Sequence, residues 1–428
     1  MIDYLLFDNW FYMIRSNIVL NTRQNMLWNS VGCLLYQACM WAMTIAVVIF
    51  SNDYENSGRL AFAMALGNIY YPLATYNMRT IQVSDLANEY SSGQYIAFRF
   101  FTVFAGVIPV LLYLFLSSPI TSFSTCLAWL LFKADEAFCS VFYAIEQRAL
   151  RMDYIGISQG ARGVICLGLF IALLSFGLTL PLALIGISIC CILITWLFDF
   201  RAASQFESVV PTINLTTIGE LAVKFFPAVV TLVCYGSVVS IIRQKFGIAY
   251  GDAELGKYAA IATPTVLVQV AASYLYNPLL VNAAKCWSER DYRKFQQFVI
   301  RTLLAICFIG AVAILMSELI GETVLLLVYG SSIESSVYLL SPALFATVVT
   351  TLFAFSFDIL TVMRHLNTAL IANVCSLLVA FVGCEILFVM YGANGINIAV
   401  VVSFGIGLLI CLIDLFVTFH KVKRTHDE

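Results

Sequence analysis

Long apolar runs broken by short polar gaps dominate this 428-residue chain. A helix needs about 20 predominantly apolar residues to cross a bilayer, and the pattern supplies that length again and again. It predicts helices over 26–50, 58–79, 95–116, 121–147, 159–178 and 181–199. After a polar stretch they resume over 218–242, 257–281, 299–317, 337–362, 366–390 and 395–419. The gaps alternate in charge. Those after even-numbered helices hold Arg79, Arg99, Arg148, Arg151, Arg162, Arg201, Lys285, Arg290, Arg293, Lys294, Arg301 and Arg364, and the C-terminal tail adds Lys421, Lys423 and Arg424. Those after odd-numbered helices hold mainly Arg59, Arg243, Lys245 and Lys257, beside acids such as Asp53, Glu55 and Glu334. Lys and Arg accumulate on the cytoplasmic side of membrane proteins, which puts the first set and both termini in the cytoplasm. A missed or extra helix would scramble the alternation. The expectation is an all-α polytopic membrane protein with twelve transmembrane helices.

Composition narrows the class. Hydrophobic residues make up 61%, charged residues 11%, and the mean hydropathy is +0.91, too few charges to clothe a soluble domain of this size. The net charge of −2 points to no nucleic acid. Thirteen cysteines, Cys126, Cys139 and Cys307 among them, are scattered along apolar runs without a metal-binding spacing, and read as small buried apolar residues. Asp3 and Asp8 stand where a secretory signal would be basic, and Trp10, Phe11, Tyr12 and Arg15 suit an interfacial segment over 3–20.

The polar stretch 201–217 divides the chain into an N-lobe, 26–200, and a C-lobe, 218–419, flanked by a cytoplasmic or interfacial segment 1–25 and a basic tail 420–428. An internal repeat supports the division. Gly58-Arg59-Leu60-Ala61 opens the second helix and Gly256-Lys257-Tyr258-Ala259 the eighth, a register that aligns Tyr71 with Gln269 and Thr75 with Ser273. Both copies run in the same direction, so the repeat axis lies along the membrane normal.

Polar residues inside the helices are phased. Asn68, Tyr71, Thr75 and Arg79 follow helical spacing, as do Thr265, Gln269, Ser273 and Tyr276, Lys133, Glu136, Ser140, Tyr143 and Gln147, and Thr351, Asp358, Thr361 and His365. Hydroxyls and amides of this kind either tie helices together or line a cavity. A charge facing lipid costs roughly 2.5–3.5 kcal/mol at mid-depth, so Lys133 and Glu136 either neutralise each other or face a water-filled path. Pro72, Pro227, Pro264 and Pro278 predict kinks. No G-x-x-x-x-G-K-[ST] loop is present to cradle ATP. Gly156-Ile157-Ser158-Gln159-Gly160 matches G-x-S-x-G but lacks the strand-turn-helix that this nucleophile motif needs. With no loop large enough for a catalytic domain, an enzyme and a cofactor are not expected.

Several stretches resemble the Wzx-type polysaccharide flippases of the MOP (MATE-like) superfamily: Asn25-Met26-Leu27-Trp28-Asn29-Ser30 with Gly32 and Tyr36; Arg79 through Ser84-Asp85 and Asn88-Glu89-Tyr90 to Arg99; Gln147-Arg148 with Arg151-Met152-Asp153; Asn277-Pro278-Leu279-Leu280; Asp291 to Arg301; Val328-Tyr329-Gly330; and Gly392-Ala393-Asn394-Gly395. Each motif is short, and their order over nearly the whole chain carries the likeness. The resemblance implies two six-helix lobes around a central cavity, in a bacterial cytoplasmic (inner) membrane. It implies transfer of an undecaprenyl-diphosphate-linked oligosaccharide from the cytoplasmic to the outer leaflet, for O-antigen, capsule or another surface polysaccharide, alongside a polymerase and a chain-length regulator. A diphosphate calls for basic partners and a glycan for hydroxyls and amides. Arg79 and Arg99 are then candidates for catching the diphosphate, or for pairing with Asp85 and Glu89; Lys133, Arg162 and Lys224 extend a basic path. Tyr71, Tyr143, Gln269 and Tyr276 are candidates for sugar contacts, and Asp135, Glu136 and Asp358 for a coupling H+ or Na+. The alternatives are a drug/cation antiporter of the same superfamily and a peptidoglycan-precursor flippase.

Overall fold

The computed structural model describes residues 20–51, 54–85, 89–117 and 122–427, and the interfacial segment expected over 3–20 falls largely outside them. Helices cover every predicted segment. The first half contains α1 (Thr22–Ser51), α2 (Glu55–Thr75), the short α3 (Met78–Ser84), α4 (Ser92–Ser117), α5 (Phe123–Arg148) and α6 (Met152–Ser175). α7 (Leu180–Ile194) passes through one π-helical turn into α8 (Phe200–Ala203). The second half contains α9 (Leu215–Tyr250), α10 (Asp252–Ala262), α11 (Val266–Ser288), α12 (Tyr292–Met316), α13 (Glu322–Tyr329), α14 (Leu340–Val362), α15 (Leu366–Tyr391) and α16 (Gly395–Asp427). Among the described residues, 8 stretches are long and apolar enough to cross a membrane, the last of them, Leu366–His420, spanning two helices. The segments outside that set, α2, α5 and α10–α11, carry three of the four polar stripes, and the fourth, Thr351 to His365, begins on α14 within it.

Two of the four prolines stand at helix breaks, while Pro227 lies inside the continuous α9. Pro72 lies in the last turn of α2, whose end is closed by Tyr76 in the left-handed region donating to the Pro72 carbonyl. Pro264 falls in the turn that separates α10 from α11. Both breaks re-aim a helix without leaving it.

Two lobes result. In the first, α1 packs along α6 and α2 along α5; in the second, α15 and α16 pack on α9 and α14. The α1–α6 pair is unusually close because glycines meet: a Cβ on Gly32 would sit 2.4 Å from the Gly156 backbone. This explains the G-x-S-x-G match as helix packing, since Gly156 admits the α1 backbone and Ser158 hydrogen-bonds Tyr143 at 2.8 Å.

The lobes join through α2 and α10, and the join is made by the repeat itself. A Cβ on Gly58 would lie 1.6 Å from the Asp252 carbonyl oxygen, and one on Gly256 2.2 Å from that of Tyr54. Only glycine permits this approach on either side. Around it Arg59 pairs with Glu55 at 3.1 Å and with Asp252 at 3.4 Å, while Lys257 pairs with Glu254 at 2.8 Å. The matching positions of the two repeats therefore face each other across the junction.

Several helices run further than the hydropathy pattern indicates, which moves charges from gaps into helices. Arg243 and Lys245, beyond the predicted end at 242, lie inside α9, while Arg99 and Arg162, grouped with the gap charges although inside the predicted helices 95–116 and 159–178, lie two turns inside α4 and nearly three turns inside α6. Helical hydrogen bonds continue through a charged residue when a neighbouring helix supplies its partner, and an apolar count stops at that residue.

Candidate functional site

α5 is the polar axis of the first lobe. Adjacent helical residues point about 100° apart, so Asp135 and Glu136 address different neighbours. Asp135 faces α6 and α7: Arg162 donates to it at 2.7 Å and to Asp199 at 3.0 Å, and Thr195 donates to Asp135 at 2.7 Å. Cys139 donates to Asp199 at 3.2 Å. Arg162 is 4% exposed and Asp199 0%, so this guanidinium is committed to two buried carboxylates. Glu136 faces α1 and α2, accepting from Lys133 at 2.7 Å and Tyr36 at 3.2 Å.

A small cavity of about 40 Å³ adjoins these groups, lined by Tyr36, Tyr71, Arg79, Glu136, Tyr143 and Arg162 among others. That is room for a few waters. Arg79 donates to Gln147 through Nε at 3.1 Å and Nη2 at 3.0 Å and lies over the Tyr143 ring at 5.6 Å. Lys133 lies over Tyr71 and Trp129, each at 5.6 Å. The structure thus brings together Arg79, Lys133, Tyr71, Tyr143 and Glu136, with Asp135 and Arg162 directly behind.

The other sequence-derived residues stand apart. Arg99 is fully buried and donates to the Ala74 carbonyl at 2.9 Å, next to Thr102 on the same oxygen at 2.7 Å; it satisfies the end of α2, where helix carbonyls lack partners. Neither Asp85 nor Glu89 pairs with Arg79 or Arg99. Asp85 instead accepts from the Glu89 and Tyr90 N–H groups at 2.9 and 3.1 Å and from the Tyr95 hydroxyl at 2.9 Å. Burial alone would raise its pKa, but these bonds hold it below the ordinary carboxylate value. Glu89 pairs with Lys224 at 3.0 Å on an exposed surface. In the second lobe Gln269 donates to the Tyr235 hydroxyl at 3.2 Å, and Tyr276 donates to Asp358 at 3.2 Å.

A larger cleft of about 500 Å³ opens between the lobes, lined by α1, α2, α9, α10 and α11. Its polar lining includes Gln37, Thr44, Ser57, Asn68 and Thr263, and Arg243 is its one charged lining residue among the described residues. The Arg243 guanidinium lies 5.8 Å from the Tyr258 ring, with no carboxylate partner among the described residues. The hydropathy pattern ends this helix at 242 and so puts Arg243 in an outer gap. A signal was nevertheless present, because Val238, Ile242 and Phe246 recur at fours, all buried, and Gly251, with φ 89°, is the natural stop.

No protein-family model matches the chain. It is similar to the capsular polysaccharide biosynthesis protein CapF of Staphylococcus aureus, 22% identical over 302 residues, which are 70% of this chain and 75% of that protein. Among solved structures it is similar to an inward-facing multidrug-resistance MATE transporter of the MOP superfamily, TM-score 0.67 at 13% identity, over 93% of this chain and 99% of that one. It is similar also to the lipid II flippase MurJ in an inward closed conformation, TM-score 0.73 at 12% identity, over 92% and 90%. A Pyrococcus furiosus MOP-superfamily transporter, described by a binding pocket of reverse polarity, matches with TM-score 0.60 at 14% identity, over 95% and 97%. The resemblance seen in the motifs is thereby borne out across the chain: this is a multi-pass membrane protein with the two-lobed fold of the MOP superfamily, akin to a protein of capsular polysaccharide biosynthesis.

Proposed function

We propose that the chain flips an undecaprenyl-diphosphate-linked oligosaccharide from the cytoplasmic to the outer leaflet for surface polysaccharide assembly. The observation that carries this is the inter-lobe cleft with a single charge among the described residues, the carboxylate-free guanidinium of Arg243, and with amides and hydroxyls set into an otherwise apolar wall that includes Leu34, Trp41, Leu60 and Met64. Such a lining suits an anionic, hydroxyl-rich head group and repels a cation, which disfavours a cation antiporter. The relative in capsular polysaccharide biosynthesis supports the same direction. Twelve spans with both termini cytoplasmic would set the Gly58–Gly256 junction at the outer face, leaving the cleft to fill from inside. Arg79 and Lys133, with Tyr71 and Tyr143, form the entry route in this reading; Arg99 and Arg162 hold the lobe. Gln269 faces the substrate from the second lobe, and Asp358, which accepts from Tyr276 and has no ion pair among the described residues, is the candidate for the coupling H+ or Na+.

The test is mass spectrometry of undecaprenyl-linked lipids in cells depleted of the protein, complemented with wild type, Arg243→Ala or Arg243→Lys at equal membrane abundance. Accumulation of a discrete lipid-linked oligosaccharide, relieved by wild type and about ten-fold less well by Arg243→Ala, is expected, since losing a charge-assisted contact costs roughly 1.5–3 kcal/mol. Accumulated peptidoglycan precursor would make it the other kind of flippase. Unchanged lipid pools with new sensitivity to cationic dyes would replace the proposal with drug export.

A further inference from the structure

A second large hollow lies between two helices of the C-terminal half. It measures about 700 Å³ and among the described residues is lined by α11 and α12, with Ala272 and Tyr276 on one side and the Lys294, Gln297, Arg301 and Ile309 face of α12 on the other. The α12 residues recur at threes and fours, the spacing of one helix face. Such a face ordinarily packs against a neighbour; this one borders open space. Its chemistry changes along the axis rather than around it. From Lys294 through Gln297 to Arg301 and Thr302 it is polar and basic, and from Ala305 to Ile309 it is apolar, over roughly 22 Å at 1.5 Å per residue. Beside the groove α12 turns Ile300 (46% exposed), Leu304 (64%) and Phe308 (70%) outward, which in a membrane protein is the lipid face.

We infer that this groove is a binding site for an anionic phospholipid, with the phosphate at Arg301 and Lys294 and an acyl chain along Ala305, Ile306 and Ile309. Arg301 has no ion-pair or hydrogen-bond partner among the described residues, while Lys294 pairs with Asp291 at 2.7 Å on an exposed surface, a contact that costs little to exchange. Gln297 and Thr302 offer partners for glycerol and ester oxygens. Basic hollows between transmembrane helices select anionic head groups by this means. Among the described residues every lining residue belongs to α11 or α12, and none of them lines the inter-lobe cleft. That separates a resident lipid from transported cargo.

The experiment titrates the intact detergent-purified protein with phosphatidylglycerol or phosphatidylcholine and reads bound lipid by native mass spectrometry. Wild type should prefer phosphatidylglycerol, and Arg301→Gln should weaken that lipid about five-fold, the effect of one basic residue near a membrane surface, with phosphatidylcholine unchanged. Ile309→Trp keeps the charges and fills the apolar end, and should also release phosphatidylglycerol. Equal affinity for the two lipids, or indifference to both substitutions, overturns the site. A co-purified polyprenyl-linked lipid displaced by Arg301→Gln would overturn the assignment to phospholipid.

Discussion

Arg162 and Arg243 show how much a partner decides about the same side chain. Arg162 is enclosed with Asp135 and Asp199, and its planar fork serves both at 2.7 and 3.0 Å. Removing one member of a buried ion-pair set is strongly destabilising because it strands charge, typically by about 3–5 kcal/mol. Arg162→Ala should therefore lower the thermal midpoint of the solubilised protein markedly, whereas Arg162→Lys, which offers one ammonium in place of a fork, should fall between Ala and wild type. A midpoint unchanged in Arg162→Ala would mean that the cluster is not the lobe's structural centre. Arg243 has no carboxylate among the described residues to satisfy it, so Arg243→Ala should leave the midpoint near that of wild type while lowering export. The two substitutions together separate scaffold from site.

At the scale of elements, the tightest constraint is the meeting of α2 and α10. A Cβ at Gly58 would stand 1.6 Å from a backbone oxygen, and backbone cannot rotate aside as a side chain can. Gly58→Val should force these helices apart and abolish export, while Gly219→Ala, where a Cβ meets nothing within 4 Å, should be silent in the same assay. Equal export in both would dismiss the junction. The helices themselves were legible in the hydropathy pattern, because a bilayer demands length and apolarity together. The repeat was legible too, through Gly58-Arg59 and Gly256-Lys257. What the pattern could not supply was the end of α9, which it placed at 242 short of Arg243, and the partners of the charges it left inside helices. Arg99, Arg162 and Arg243 each have their surroundings supplied by a helix distant in sequence, by Ala74, by Asp135 and Asp199, and by Tyr258. The basic character of the site was thus readable from the chain, and the division of its arginines into buried struts and a cleft-lining charge was not.

For the whole molecule, the proposed flipping, if it runs by alternating access, requires the junction beside Gly58 and Gly256 to be breakable, so that a closed and an open arrangement lie within a few kcal/mol. Asp252 is placed to bias that balance. It sits at the start of α10, outside the apolar spans, pairing with Arg59 at 3.4 Å and accepting from Ser122 at 3.4 Å. Burial raises its pKa above the ordinary carboxylate value, and the nearby Arg59 only partly offsets this. Opening the junction would hydrate the carboxylate and return it toward about 3.9. The closed arrangement therefore binds the proton more tightly, so closure is favoured as pH falls through the interval between the two values and loses that advantage as pH rises above the raised one. A cysteine at Ser57, buried at 3% on the cleft, would report opening through its rate of reaction with a membrane-impermeant maleimide, measured against the background of the native thiols. Divided by the rate of a small free thiol at the same pH, which removes the thiol's own titration, that rate should fall on acidification just above the ordinary carboxylate pKa in wild type and be flat there in Asp252→Asn, where no proton is left to bind. A rate with the same pH profile in both would place the acid-sensitive step elsewhere, and would leave the glycine crossing as the element that sets how readily the two lobes part.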